Sequence, residues 1–403
     1  MNGHPSLSLA GSDTRTPPVA ANSQATHPVL DRLTSLIVLG GALITFGILW
    51  DISWHSTIGR DSFWTPAHMM IYVGGTVSGC LAGWMALTAT FLNPGRMKDV
   101  SVELFGARAP LGAWVTIWGS LAMLTSAPLD DWWHGAYGLD VKILSPPHAL
   151  LAAGMYGVVT GGYLLASARR NRMGSAAEGV SGTGLAIAAN GVQLALSSIL
   201  LTELSFPNLQ HTSTFAMASA AMYPGFLMAA ARQGTTKWPA TKMSLVYMAV
   251  IGLMIWVLPL FPAEPKLAPI FNRVTHMVPP SFPHLLVLPA LAIDLLIAGL
   301  RAKTGKAWSA MRVIGAGTLF LGVFLVVQWH FSAFLISPAA DNAFFAGHGR
   351  FFSYMGETSH ADRFWVPTNR TLTASAIGWA WLIALISSGL GYASGRFLNR
   401  VQR

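Results

Sequence analysis

The sequence predicts an all-α protein: a polytopic transmembrane helical bundle of about ten spans, built from repeated helical hairpins. Three observations carry this. Long apolar stretches recur from Leu33 to Phe397. Only 10% of the residues are charged, against about 25% in an ordinary soluble domain, and mean hydropathy is +0.49. A motif in the first loop between spans also returns in the second.

Crossing the hydrocarbon core takes about 20 apolar residues in a helix. Ten stretches meet that requirement: 33–50, 66–92, 111–129, 147–168, 182–204, 213–231, 243–261, 283–300, 311–329 and 371–397. Residues 31–397 are thus the transmembrane domain. Residues 1–30 are rich in Pro, Ser, Thr and Ala and lack an apolar run. They read as a disordered cytoplasmic tail rather than a signal peptide. Residues 398–403 form a second short tail. Cys80 is the single cysteine, which excludes an internal disulfide and cysteine-cluster metal chemistry.

The net charge of +9 is a topological signal. Ten spans put both termini on one side, and that side collects 18 of the 25 basic residues. They are Arg15, Arg32, Arg96, Lys98, Arg108, Arg169, Arg170, Arg172, Arg232, Lys237, Lys242, Arg301, Lys303, Lys306, Arg312, Arg396, Arg400 and Arg403. The positive-inside rule makes that side cytoplasmic and the other periplasmic, as in a bacterial inner membrane. The basic excess then needs no nucleic-acid partner; the expected environment is the lipid bilayer.

On this topology His4 and His27 lie in the tail. His55, His68, His134, His148, His211, His276, His284, His330, His348 and His360 all fall in, or at the edge of, an outer loop. Most carboxylates follow them. Interfacial preference explains belts of Trp and Tyr, but it does not select one interface for histidine. Ionisable groups gathered there are candidates for function.

The first outer loop runs from Trp50 to His68 and the second from Asp130 to His148. With His55 aligned on His134, Asp51 matches Asp130, Trp54 matches Trp133, Gly59 matches Gly138 and Asp61 matches Asp140. The Pro and final His recur with one extra residue. The pattern suggests that one hairpin, 33–92, was duplicated as 111–168. Asp51 and His55 are i, i+4 and share a helix face. Pro66 suits the first turn of the next helix, which places His68 at its start. Each hairpin end thus gathers one carboxylate and two imidazoles: Asp51/His55/His68 and Asp130/His134/His148. That is a sufficient ligand set for a transition metal with open positions. Asp61 and Asp140 are candidates for orienting an imidazole, with loop-turn chemistry as the alternative.

The segment Asp51–His68, with its D-x-x-W-H spacing and R-D-S-F-W-T-P-A-H ending, resembles the signature of the third subunit of copper membrane monooxygenases. That family includes particulate methane monooxygenase and ammonia monooxygenase. The resemblance implies a copper ligand set of the form D-x-x-x-H-x(12)-H, met here by Asp51, His55 and His68. It covers this segment, with an echo at Asp130–His148. Elsewhere the chain departs: it has more spans, and Asn208 and His211 have the wrong spacing for the family's additional His/Asn set.

Asp131, His211, His284 and His330 are further candidates for lining the site, with interfacial packing as the alternative. His348 and His360 read as solvated histidines in a long outer loop, 331–368, that is a candidate cap. His276 has no assigned role. Asp294 lies deeper and reads as a polar helix partner or a proton relay. Three functions stay open. The first is a copper-dependent, monooxygenase-like oxidoreductase acting on a small apolar substrate, fed by an electron donor or companion membrane subunits. The others are a copper binding or delivery protein and a structural subunit of a membrane complex. Imidazole and carboxylate ligands also suit zinc and iron.

Overall fold

The computed structural model describes residues 27–59, 63–138, 145–173, 178–233, 236–266, 274–346 and 371–403, without the side chains of 178–181 and 203. Helix α1 (Pro28–Thr57) begins with proline at its first turn, where the missing N–H costs nothing. So do α2 (Pro66–Leu87), which continues through a π-helical turn to Leu92, and the short α3 (Pro94–Met97). A β-hairpin follows, pairing β1 (Val102–Leu104) with β2 (Ala107–Ala109). Its two-residue turn, Phe105–Gly106, has positive φ at both positions, as such turns require. The rest is helical: α4 (Leu111–Tyr137), α5 (Pro146–Met173), α6 (Glu178–Ser198), α7 (Ser213–Gln233), α8 (Pro239–Val257), α9 (Val287–Gly299), α10 (Lys306–Ile336) and α11 (Ala374–Leu398).

Among the described residues, eight helices are long and apolar enough to cross a membrane. The other two expected spans differ for physical reasons. Helix α4 has the length, but Gly, Ser, Thr and Trp dilute its apolar stretch. Helix α9 has 13 residues, about 20 Å of rise against a core of about 30 Å. The prolines at 279, 280 and 283 hold the preceding segment extended, so α9 starts only at Val287.

Two groups of helices form the bundle. In the first, α1 packs on α2, α2 on α4, α4 on α5 and α5 back on α1, closing a ring. In the second, α8, α9, α10, α11 and α7 pack in succession, and α7 returns to α8. Helix α6 bridges the groups through α5, α1 and α8. The ring is built on close backbone approach. A Cβ added at Gly40 would lie 3.0 Å from the Gly74 carbonyl oxygen, and one at Gly74 would lie 2.6 Å from that of Gly40. In the α4–α5 pair, Gly119 and Gly154 stand in the same relation at 2.8 Å each way. Small residues at such crossings replace the hydrophobic drive that lipid cannot supply. The second group instead buries large side chains, with Phe215, Tyr223, Tyr247, Phe320 and Phe324 at its centre.

Across the ring, Gly41 meets Val159 and Gly162 meets Ile37 and Val38, so α1 and α5 run antiparallel. Gly75 meets Met123 and Gly79 meets Ser120, so α2 and α4 do the same. The C-terminal ends of α1 and α4 therefore lie at one end of the bundle.

Candidate metal centre

That shared end carries both triads. In the first, Asp51 lies two turns before the end of α1. Its Oδ2 is 3.7 Å from His55 Nε2, one helical turn on. Its Oδ1 is 3.2 Å from His68 Nε2, across the hairpin. Gly59, at φ +98°, turns the chain out of α1. Thr65 then caps α2, its Oγ1 accepting from the His68 backbone N–H at 3.2 Å. This capped first turn fixes where the His68 ring stands.

The second triad repeats each part. Asp130 Oδ2 is 3.5 Å from His134 Nε2, and Oδ1 is 3.4 Å from His148 Nε2. Gly138 has φ +80°. Ser145 Oγ accepts from the His148 N–H at 3.4 Å. One ligand atom from each of Asp130, His134 and His148 lies within 4.8 Å of the others. Bonds of about 2.0–2.2 Å to a central ion bring such donors within about 4 Å of each other, a closure that small side-chain rotations supply.

The polar atoms at the second triad could hold a cation. Asp51 Oδ1 and Asp130 Oδ1 are shut off from solvent and accept no hydrogen bond, although an imidazole nitrogen faces each. His134 Nδ1 is 3.2 Å from the Gly138 carbonyl oxygen. A carbonyl only accepts, so Nδ1 carries the proton of that bond, as in metal-ligating histidines held by a backbone carbonyl. In the neutral ring, Nε2 then turns a lone pair toward the Asp130 carboxylate. Two lone-pair donors face to face repel unless a proton or a metal ion sits between them. The C-terminal ends of α1 and α4, where the helix dipole is negative, favour the same positive charge.

Among the described residues, the structure brings Asp130, His134 and His148 together as a group that could hold a metal ion; at the first triad Asp51 lies beside each imidazole, but the three donors do not converge in the same way. Asp131 and His330 are exposed on α4 and α10. The His211 ring packs edge-on against Trp329, with Nε2 2.9 Å from Ser332 Oγ. His284 is buried inside the second helix group, its Nδ1 2.6 Å from the Tyr223 hydroxyl and its ring against Phe215. His276 lies beside Thr275 at 3.0 Å. His27 is at the opposite end of α1, 3.5 Å from Asp99. Asp61, Asp140, His348 and His360 lie outside the described residues, as does most of the candidate cap. Asp294 does not face the triads. Its carboxylate accepts from the backbone N–H groups of Ala240 (3.2 Å) and Thr241 (2.8 Å) and from the Thr241 hydroxyl (2.8 Å). It thereby caps α8, whose own cap residue Trp238 makes no side-chain bond.

Sequence reasoning passed over two sets of supporting residues. Thr65 and Ser145 were readable, since a hydroxyl residue just before Pro is a helix-start signature. Ser53 and Thr57 were not. They hold a segment from the second half of the chain: Ser53 Oγ donates to the Val278 carbonyl (2.5 Å), and Thr57 Oγ1 accepts from Val278 N–H (2.9 Å). Compared with protein-family models, with curated proteins and with solved structures, the chain matches none of them.

Proposed function

We propose that this multi-pass membrane protein is a metalloprotein whose two His/Asp triads hold copper at the periplasmic face. The observation that carries the reading is the second triad, where a carboxylate and two imidazoles converge and one imidazole has its far nitrogen tied to a carbonyl. Two imidazoles and a carboxylate leave coordination positions open, as copper and other imidazole-binding metals accept. The side assignment rests on the distribution of basic residues.

The hairpins α1–α2 and α4–α5 are best read as copies of one unit. Beyond the sequence motif, the aligned pairs Gly40–Gly74 and Gly119–Gly154 make the same crossing. Thr65 and Ser145 make the same cap, and Gly59 and Gly138 the same turn.

The activity we favour is that of a copper monooxygenase-like oxidoreductase acting on a small apolar substrate. Bound copper would supply dioxygen activation beside the bilayer, where apolar molecules concentrate. The chain's own part is to orient the donors. Asp51 and Asp130 face both imidazoles of their triads, the Gly138 carbonyl fixes the His134 tautomer, and Thr65 and Ser145 fix the second imidazole of each site. Electrons would come from a partner or a companion subunit. Transport of the metal is less well supported: Asp294 is engaged in capping α8, and Cys80 is exposed on the bundle's outer surface.

Elemental analysis of the purified full-length protein tests the metal reading. Copper is expected in the wild type, reduced by His55→Ala/His68→Ala, reduced by His134→Ala/His148→Ala, and lost when all four are combined. A metal content unaffected by all four substitutions would sink it. Oxidation of small hydrocarbons or ammonia by the copper-loaded protein, with a quinol as reductant, tests the activity separately.

A further inference from the structure

Opposite the triads, where α2 ends and α4 begins, the first helix group carries α3 and the β1–β2 hairpin. Their base is firmly held. Met97, Val100 and Ala109 are buried in one cluster with Leu30, Met85 and Ala113. Thr90, in the π-helical turn that ends α2, grips β2 through a single residue: its Oγ1 accepts from the Arg108 N–H (2.9 Å) and donates to the Arg108 carbonyl (3.1 Å). On the other strand, the Val102 carbonyl accepts from the indole N–H of Trp114 in α4 (3.4 Å).

The tip is the reverse. Phe105, the first residue of the turn, is 86% exposed, and Leu104 beside it is exposed too. Its φ of +52° belongs to a position that Asn, Asp or Gly usually fills, because a larger side chain is strained there. An exposed aromatic ring gains little within the chain to offset that strain, so the contact that favours it lies outside. The surroundings indicate its chemistry. Phe91 (72% exposed) and Leu92 (56%) continue the exposed apolar surface of Trp84 and Leu87 along α2 to the turn that holds the hairpin. The span 66–92 has 27 residues, a rise of about 40 Å against a hydrocarbon core of about 30 Å. Its last turn, with Thr90 and the hairpin bonded to it, therefore stands at headgroup level. Of the charged residues in 93–109, Arg108 pairs with Glu103 and Asp99 faces His27, while Arg96 and Lys98 stand exposed.

We propose that the hairpin 102–109 is an interfacial lipid anchor: Phe105 and Leu104 seat in the acyl boundary of the leaflet opposite the triads, and Arg96 and Lys98 take the phosphates of anionic phospholipids. Apolar burial and attraction to anionic headgroups add in such membrane-surface elements. Because the base is bonded to α2 and α4, seating the tip fixes the depth and rotation of the first helix group in the bilayer. The proposal rests on the membrane-spanning helices and on no bound metal.

The test uses the full-length protein with Cys80→Ala and Ala107→Cys, the latter at the residue paired with Leu104, and a small fluorophore on the new thiol. The labelled protein is placed in vesicles of phosphatidylcholine with or without phosphatidylglycerol. Lipids carrying a nitroxide just below the headgroup should quench the label, more strongly with phosphatidylglycerol present, and a water-soluble quencher should have little effect. Phe105→Asn should cut the lipid quenching by more than half. Arg96→Gln/Lys98→Gln should remove its dependence on phosphatidylglycerol. The same Phe105→Asn should leave the unfolding midpoint in detergent unchanged or higher, because Asn suits a turn position with positive φ. A purely structural role for Phe105 predicts the opposite, a lower midpoint with lipid quenching unchanged, and that result would overturn the proposal. Strong quenching by the water-soluble agent in both vesicle types would do the same. Dependence on phosphatidylglycerol that survives the Arg96/Lys98 double substitution would overturn the headgroup assignment. Protection of the label only in the presence of a second protein would make the tip a protein-docking site and overturn the lipid anchor.

Discussion

Replacing Gly154 by alanine tests the link between helix packing and the second triad. An added Cβ at Gly154 would lie 2.8 Å from the Gly119 carbonyl oxygen and 2.8 Å from the Met123 backbone nitrogen. Ordinary contact begins near 3.4 Å, so α4 and α5 must separate by about 0.6 Å at the crossing. Both obstacles are backbone atoms, and neither can swing aside. Overpacking of this kind costs about 1–3 kcal/mol, against a gain of up to about 1 kcal/mol from alanine's helix propensity. The net is a loss of about 1–2 kcal/mol. Gly83 in α2 is the matched control, because a Cβ there meets nothing within 4 Å. Thermal unfolding in detergent should show a lower midpoint for Gly154→Ala and an unchanged or higher one for Gly83→Ala. Copper retention should fall at the second triad, whose two imidazoles stand on the two separated helices, and stay unchanged at the first. Equal midpoints for the two variants, or equal copper loss at both triads, would refute the reasoning.

Asp294→Ala should destabilise the protein by about 2–4 kcal/mol, because it strips a cap and leaves one buried and one part-buried N–H group at the start of α8 unpaired; unfolding midpoints check this, and copper content should not change. Adding copper to chelator-treated protein should raise the unfolding midpoint in proportion to the logarithm of its free concentration, worth about 2.7 kcal/mol at one hundred times the dissociation constant. The rise should vanish in the variant lacking all four histidines, and its persistence there would place the metal elsewhere.

The positions of the helices were legible because apolar runs of bilayer length leave few alternatives to a helix. The pairing of each aspartate with its two histidines was legible for a local reason: i, i+4 spacing puts Asp51 and His55 on one face, and a hydroxyl residue followed by proline starts the next helix just before His68. What escaped depends on distant partners. Ser53 bonds a residue 225 positions away, and no periodicity marks such a pair. Asp294 was legible as a polar partner for a neighbouring helix; that the helix is α8, and that the contact is its N-terminal cap, was not. His284 stands at the edge of an apolar stretch in sequence, yet it is enclosed by Phe215, Tyr223 and Phe324 because the proline-rich segment before α9 carries it inside. The hairpin at 102–109 was missed because three-residue strands show no alternation; only Phe105–Gly106 hinted at a turn.

The cap that Asp294 supplies also joins two helices into one cooperative unit. The amides it satisfies belong to residues 53 and 54 positions earlier in the chain. The first turn of α8 is therefore complete only when α9 is seated against it. Fraying at the start of α8 breaks contacts to α9, and withdrawal of α9 exposes the start of α8. The two helices must open together, so slow hydrogen exchange at the amides of Ala240 and Thr241 would report the seating of a helix to which neither residue belongs.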